Sequence, residues 1–359
     1  MVSISILIPC FQERDFIRRC LESVLAFDIP AEAEIREILV IDGVSTDGTR
    51  DIVLELAKTD SRIRLIDNPK RIQSTGLNIA LKIATGEYIV RLDAHSSYPR
   101  DYLALVLETS LRTGCDNAGG LVITQPRGAG YQSALIQALT THKFCVGNAG
   151  FRTGAAEGPA DTVPYGCFRR DLFDQLGPFD ERLVRAQDYE MNRRIIAAGG
   201  CVWRNPAIRV TYFPQPDFRS FIQKQVLYEA PYNAYLWYLA PYAFTPRHAI
   251  TGLFAFGVLG GLALSPFSST IRIVFGAIMA LYFAMALFAG IQQAIRYREP
   301  RHVLLVPIAV FVYHFLHGMG LIVGLLRLAM GTAPVQKLRE PWPGAGRRRA
   351  WPAPAANEG

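Results

Sequence analysis

Four short β-branched runs alternate with three helical patterns inside the first 95 residues, a rhythm that few folds accept. "ISILIPCF", "REILVID", "IRLIDN" and "EYIVRLDA" read as strands, being short, apolar and bounded by turn residues. Between them, "ERDFIRRCLESVLAF" sets Phe16, Ile17, Cys20, Leu21, Val24 and Leu25 at three-four spacing. "RDIVLELAKTD" and "QSTGLNIALKIAT" continue the alternation, the latter expected to end at Gly86 in a C′ position. Such repeats predict a doubly wound, mostly parallel α/β sheet. Sheets of this kind bind ligands beyond the carboxyl ends of their strands. Those ends carry Glu13 after the first strand, Asp42 after the second, and Asp93 with His95 after the fourth. Three strand ends thus offer acidic groups to one edge, which suggests a shared site.

The segment "VRLDAHSSYP" sets a carboxylate and an imidazole one residue apart. It reads as a metal site for a phosphorylated substrate or as a polar turn, and the sheet-edge position favours the first. Residues 115–215 are less periodic: "DNAGGLVITQP" reads as a strand, "GYQSALIQALTTHKF" as a helix and "VGNAGFRTGAAEGPADTV" as a loop. A turn at Gly177-Pro178 precedes a helix expected from about Gln187.

Composition then breaks. Charge is ordinary up to residue 225, whereas 249–326 is almost continuously apolar. Segments at about 249–267, 272–291 and 303–326 approach the ~20 residues that span a bilayer. Ahead of them, "DFRSFIQKQVLYEAPYNAYLWYLAPYAF" has aromatics on a broken helical period, as expected of chain at the head-group level, with a packed soluble helix as the alternative. The basic clusters "RYREPRH" and "GRRRAW" both favour the cytoplasm, which three simple spans do not allow. One segment then does not span simply, "FVYHFLHGMGLIVGLL" is a candidate for a re-entrant or interrupted helix, and the conflict stays open at this point. No basic stripe interleaved with aromatics is present, so nucleic acid is not an expected partner. The six cysteines, at 10, 20, 115, 145, 167 and 201, lack C-x-x-C spacing and read as reduced thiols of a cytoplasmic domain.

"ILIPCFQE", "VIDGVSTDGT", "VRLDAH" and "RAQDYEMNRRI", in that order, resemble inverting glycosyltransferase family 2, which has a GT-A fold. The likeness is greatest to membrane-bound transferases of exopolysaccharide assembly of the succinoglycan type, and "HFLHGMGLIVGLL" resembles their closing membrane segment. The resemblance implies a nucleotide-sugar donor whose diphosphate is offset by a divalent Mn²⁺ or Mg²⁺. The metal motif reads Asp93-Ala94-His95, with Asp93 on ribose or metal and His95 a ligand. Pro9, Phe11 and Glu13 would surround base and ribose, and Asp42 the base edge. Arg71, Gln73 and Asn78 would line the donor site, with Arg71 facing the diphosphate. Tyr165, Gly166 and Cys167 would shape the acceptor side. Asp188, in the Gln187-Asp188 pair where the family often has two acids, is the implied catalytic base. Asp47 or Thr46 is expected only to cap the helix after "GVSTDGT".

The implied organisation is a cytosolic GT-A domain over 1–230, an interfacial aromatic segment over 231–246, about three transmembrane helices over 247–330 and a disordered basic tail over 331–359. The implied place is the inner (plasma) membrane, multi-pass, with the catalytic domain cytoplasmic and membrane lipids and polysaccharide-assembly proteins as partners. The expected reaction moves a hexose, first of all from a UDP-sugar, to a lipid-linked oligosaccharide acceptor. A processive polysaccharide synthase is the enzymatic alternative, and "FIQKQVLYE" in place of a Q-x-x-R-W motif counts against it. A non-catalytic membrane scaffold that binds nucleotide or glycan is the alternative of another class.

Overall fold

The computed structural model of the chain describes residues 1–335. Its first elements are β1 (Val2–Cys10), α1 (Arg14–Leu25), β2 (Ala33–Asp42), α2 (Thr49–Thr59), β3 (Ile63–Asp67), α3 (Gln73–Ile83) and β4 (Tyr88–Arg91). There follow β5 (Ser96–Ser97), α4 (Tyr102–Thr113), β6 (Asn117–Thr124), α5 (Tyr131–Thr140), α6 (Lys143–Val146) and α7 (Gly150–Thr153). Next come β7 (Gly158–Pro159), β8 (Cys167–Arg169), α8 (Asp171–Leu176), α9 (Gln187–Ala197) and β9 (Val202–Tyr212). The chain continues through α10 (Phe218–Lys224), α11 (Ala230–Leu239), α12 (Pro246–Leu264), α13 (Ser269–Tyr297) and α14 (His302–Ala329). Among the described residues it forms two compact units, Met1–Ile123 with Gly154–Tyr212, and Thr124–Thr153 with residues 213–335.

The first unit holds a mixed sheet of order β3-β2-β1-β4-β8-β6-β9-β5, with β7 also on β9. Its first half is parallel, as the alternation requires, and it turns antiparallel where β8 joins β4. β1 is buried almost throughout, as a parallel strand covered on both faces must be. Leu7 on one face packs with Leu77 and Ala80 of α3, Leu172 of α8, and Met191 and Ile195 of α9. Pairing of β1 with β4 stops at Leu7–Arg91, while pairing with β2 runs on to Cys10–Asp42. Pro9, which has no N–H to give, lies just past that stop. Strand order reverses between β1 and β4, so a crevice opens there at the carboxyl ends. Gly86 differs from the expectation: α3 ends at Ile83, and a Cβ on Gly86 would lie 2.4 Å from the Ser5 backbone nitrogen. Close approach to β1 is what that position demands, not a left-handed helix end.

In the second unit three helices, α12, α13 and α14, are long and apolar enough to cross a membrane. α14 is continuous through Pro307, so of the alternatives for this stretch the interrupted helix is not the one adopted. Its glycines serve packing instead. A Cβ on Gly318 would meet the Thr251 carbonyl of α12 at 2.0 Å, and one on Gly324 would meet the Pro231 Cα of α11 at 2.8 Å. Small residues let helix backbones approach this closely. The histidines are bound across helices: His317 Nδ1 lies 2.9 Å from Thr251 Oγ1, and His314 Nδ1 3.0 Å from the Tyr282 hydroxyl. α5 buries Leu135, Ile136 and Leu139 with Tyr282, Ala286, Val306 and Val310, which explains why it belongs to this unit. The aromatic stretch runs from α10 through a π-helical turn, Gln225–Glu229, into α11. Tyr232, Tyr235 and Leu236 are buried within the unit, while Leu227, Tyr228, Tyr238 and Phe244 are exposed. Most of the basic tail, including all its residues after 335, lies outside the described residues.

Candidate functional site

Two loops at the carboxyl ends of β1 and β2 are laced together. Gln12 Oε1 accepts from the Thr46 and Asp47 amides at 3.0 and 3.2 Å, and the Glu13 amide donates to Thr49 Oγ1 at 2.9 Å. Asp47, not Thr46, accepts from the Thr49 amide at 3.0 Å as α2 begins. Asp42 is wholly buried. Its carboxylate accepts from the Ser45 amide (2.8 Å) and hydroxyl (2.5 Å), from Arg50 (2.9 Å) and from the Cys10 thiol (3.6 Å). Its four lone-pair directions are therefore taken, and it orders the 43–48 loop.

The segment after β4 is held as firmly. The buried Tyr98 hydroxyl accepts from the Asp93 amide at 2.7 Å and donates to the Asp93 carbonyl at 3.1 Å. Asp93 Oδ1 meets Arg91 Nη2 at 2.7 Å and accepts from Gln73 Nε2 at 3.2 Å. Gln187 Nε2 in turn donates to Gln73 Oε1 at 2.5 Å, so two hydrogen bonds tie the first turn of α9 to Asp93. Asp188 is the next residue; its Oδ1 accepts from the Tyr189 amide at 2.8 Å, and its Oδ2 has no partner among the described residues. Arg91 is buried among these acids. Burial alone would lower its pKa, but Asp93 first, then Asp188, raise it above the ordinary arginine value. Its guanidinium also lies 5.8 Å from the Tyr165 ring centroid.

Glu13, Gln73, Asp93, His95 and Asp188 thus share one hydrogen-bonded and electrostatic neighbourhood. His95 Nδ1 lies 3.0 Å from Glu13 Oε1. Phe11 is exposed, and Arg71 stacks 5.3 Å from its ring centroid. Others of the expected set are engaged inward. Asn78 is buried between the Phe179 carbonyl and amide and the Glu181 carboxylate. Tyr165, Gly166 and Cys167 are buried; a Cβ on Gly166 would lie 2.1 Å from Asn117 Oδ1, and burial pushes the Cys167 thiol up to about 12. All six cysteines are free. Arg91 and the bridging role of Gln187 were not assigned from sequence. A lone arginine closing the buried run "YIVR" was the available signal for the first.

Backbone strain gathers at the same place. Gln12, Val44, Arg71, Tyr165 and Ala186 all have φ between 50° and 63°. Each is, or lies within two residues of, a residue of the expected set.

A divalent cation fits the donor chemistry. Asp93 Oδ2 and His95 Nε2 have no hydrogen-bond partner among the described residues, and both side chains are partly open to solvent. No group of three or more acidic, histidine or cysteine side chains is placed to hold a metal among the described residues. The chain can supply two ligands, as suits a cation that takes its others from phosphate and water.

Residues 5–177 match the profile of "Glycosyl transferase family 2". "Succinoglycan biosynthesis protein ExoA" of Rhizobium meliloti is 33% identical over 214 residues, 58% of this chain and 63% of that protein. This chain therefore spans less than two thirds of that relative. A Methanococcus voltae protein named "Dolichyl N-acetyl-alpha-D-glucosaminyl phosphate 3-beta-D-2,3-diacetamido-2,3-dideoxy-beta-D-glucuronosyltransferase" is 28% identical over 340 residues, 90% of this chain and 97% of its own. The fold is like that of the mannosyltransferase PcManGT from Pyrobaculum calidifontis, solved with GDP-Man and Mn2+. The TM-score is 0.57 at 21% identity, over 87% of this chain and 86% of that one.

Proposed function

We propose that the chain, whose residues 5–177 match the glycosyltransferase family 2 profile on a GT-A-like sheet, is a glycosyltransferase that moves a hexose from a nucleotide-sugar to a lipid-linked oligosaccharide with inversion at the anomeric carbon. The observation that supports this reading is the tie from Asp93 through Gln73 to Gln187, the residue before Asp188, together with Arg91, whose charge both acids favour. Asp188 accepts the proton of the acceptor hydroxyl on its unengaged Oδ2 as that hydroxyl attacks. Asp93 and His95 would hold a divalent ion, Mn²⁺ or Mg²⁺, which would supply Lewis-acid neutralisation of the donor's diphosphate. Phe11 and Arg71 present an exposed ring and guanidinium to the base and diphosphate of the donor. Asp42 shapes the same wall through the 43–48 loop, and Pro9 marks where the sheet opens. Tyr165, Gly166 and Cys167 form the packed backing of the acceptor side.

The archaeal relative's printed acceptor, a dolichyl-linked sugar phosphate, supports a lipid-linked acceptor. So do α12, α13 and α14, which anchor the chain in the membrane as a multi-pass protein. Arg296 in the last turn of α13, with Arg298 and Arg301 before α14, favours the cytoplasmic side for that loop, where nucleotide-sugars are supplied.

Nucleotide release by membranes containing the full chain tests the reading across UDP- and GDP-hexoses, with a lipid-linked acceptor pool. Asp188→Asn is expected to lower turnover by roughly 10²–10⁴-fold with donor affinity nearly unchanged. Turnover equal to wild type would remove Asp188 as the base. Donor binding without release from any donor would favour the scaffold.

A further inference from the structure

We propose that Glu13 is a positioning residue that acts through His95, fixing the imidazole so that Nε2 is the nitrogen offered to the divalent ion. This rests on the reading of Asp93 and His95 as the pair that holds that ion. Glu13 stands at the N-cap of α1, where an acidic side chain could accept from the helix's own first amides. It makes no such bond; its carboxylate meets His95 Nδ1 at 3.0 Å, bridging residues 82 apart in sequence. A carboxylate can only accept, so Nδ1 must carry the proton and donate it. In the neutral imidazole Nε2 is then the lone-pair nitrogen, and it has no other partner among the described residues.

Both sides of the pair are braced. The Glu13 amide donates to Thr49 Oγ1, and the preceding Gln12, at φ 55°, is tied to the 45–47 loop. The His95 ring packs against Tyr212, centroids 5.6 Å apart at 60°. A carboxylate behind a ligating imidazole sets its tautomer and orientation and raises its basicity. Glu13 is thereby assigned to the metal side of the site and not to the base and ribose.

The test is Mn²⁺ binding to the full-length protein in detergent, read by the loss of the free Mn²⁺ paramagnetic resonance signal. UDP and GDP affinity is read separately in EDTA. Glu13→Ala is expected to weaken Mn²⁺ binding about 10–100-fold, while metal-free nucleotide affinity stays unchanged. Glu13→Gln, whose amide oxygen still accepts from Nδ1, recovers part of that loss and guards against a mere folding defect. In a His95→Asp background the ligand needs no tautomer, so adding Glu13→Ala causes no further loss. Weakened nucleotide binding in EDTA, or an unchanged Mn²⁺ affinity in Glu13→Ala beside a weakened His95→Ala, overturns the assignment alone. An unchanged Mn²⁺ affinity in His95→Ala overturns it together with the metal reading beneath it.

Discussion

Replacing Arg91 with methionine removes the only cation in direct contact with Asp93 among the described residues, and its consequence can be worked from the geometry. The guanidinium nitrogen and carboxylate oxygen are 2.7 Å apart, with Arg91 side chain 6% and Asp93 side chain 16% exposed. At an effective dielectric of 20 the gross attraction is about 6 kcal/mol. Desolvation offsets much of it, and breaking a buried pair from one side costs about 3–5 kcal/mol. Asp93 keeps some access to water, so the lower end, ~3 kcal/mol, is expected for Arg91→Met. Asp188 loses the same counter-charge, so the strain is not confined to one acid. For a unit of this size the melting temperature should fall by roughly 2–4 °C per kcal/mol. Thermal melts of Arg91→Met, Asp93→Asn and the double variant in one detergent form the assay. The double variant leaves neither charge orphaned, so it should melt well above the sum of the two single losses. Strict additivity would refute the claim that the pair is energetically coupled.

Asp188→Asn should lose turnover by roughly 10²–10⁴-fold and keep donor affinity, as release and binding assays would show. Gly318→Ala should lower the melting temperature, since its Cβ falls 2.0 Å from the Thr251 carbonyl and overpacking costs about 1–3 kcal/mol. Glu37 gives a pH signature. Burial alone would raise its pKa, but Ser5 at 2.6 Å, the Thr85 amide at 2.7 Å and Arg64 at 3.5 Å hold it below the ordinary 4.5. A depressed carboxyl stabilises the fold above its unfolded value, and that contribution is lost as pH falls from 4.5 through the lower folded value. Glu37→Gln should flatten the melting profile as pH falls below 4.5, and an unaltered slope would count against it.

β1 to β4 were legible because each is a short apolar run between turn residues, and their parallel order follows from the helices between them. Of the antiparallel half only β6 was. β7 and β8 have two and three residues, too few for a period, and their places depend on partners far along the chain. In α14 the glycines of "HGMGLIVG" suggested a break, yet each answers to a neighbouring backbone, which sequence alone does not reveal. In the site, Asp93 and His95 could be paired from their spacing. The bond from Glu13 to His95 and the bridge from Gln187 through Gln73 could not, since both depend on how separate loops meet. Asp42 is the converse: its position after a strand suggested a ligand, but three of its acceptor directions are filled from its own loop and helix, by Ser45 and Arg50.

The five non-glycine residues with positive φ around the crevice carry one more implication. Glycine would adopt those angles more easily but would lose more freedom on folding and hold its neighbours less tightly. Gln12, Val44, Arg71, Tyr165 and Ala186 instead give the crevice stiff edges. The proposed donor would therefore find its seat already set, with little of its affinity consumed in ordering the walls.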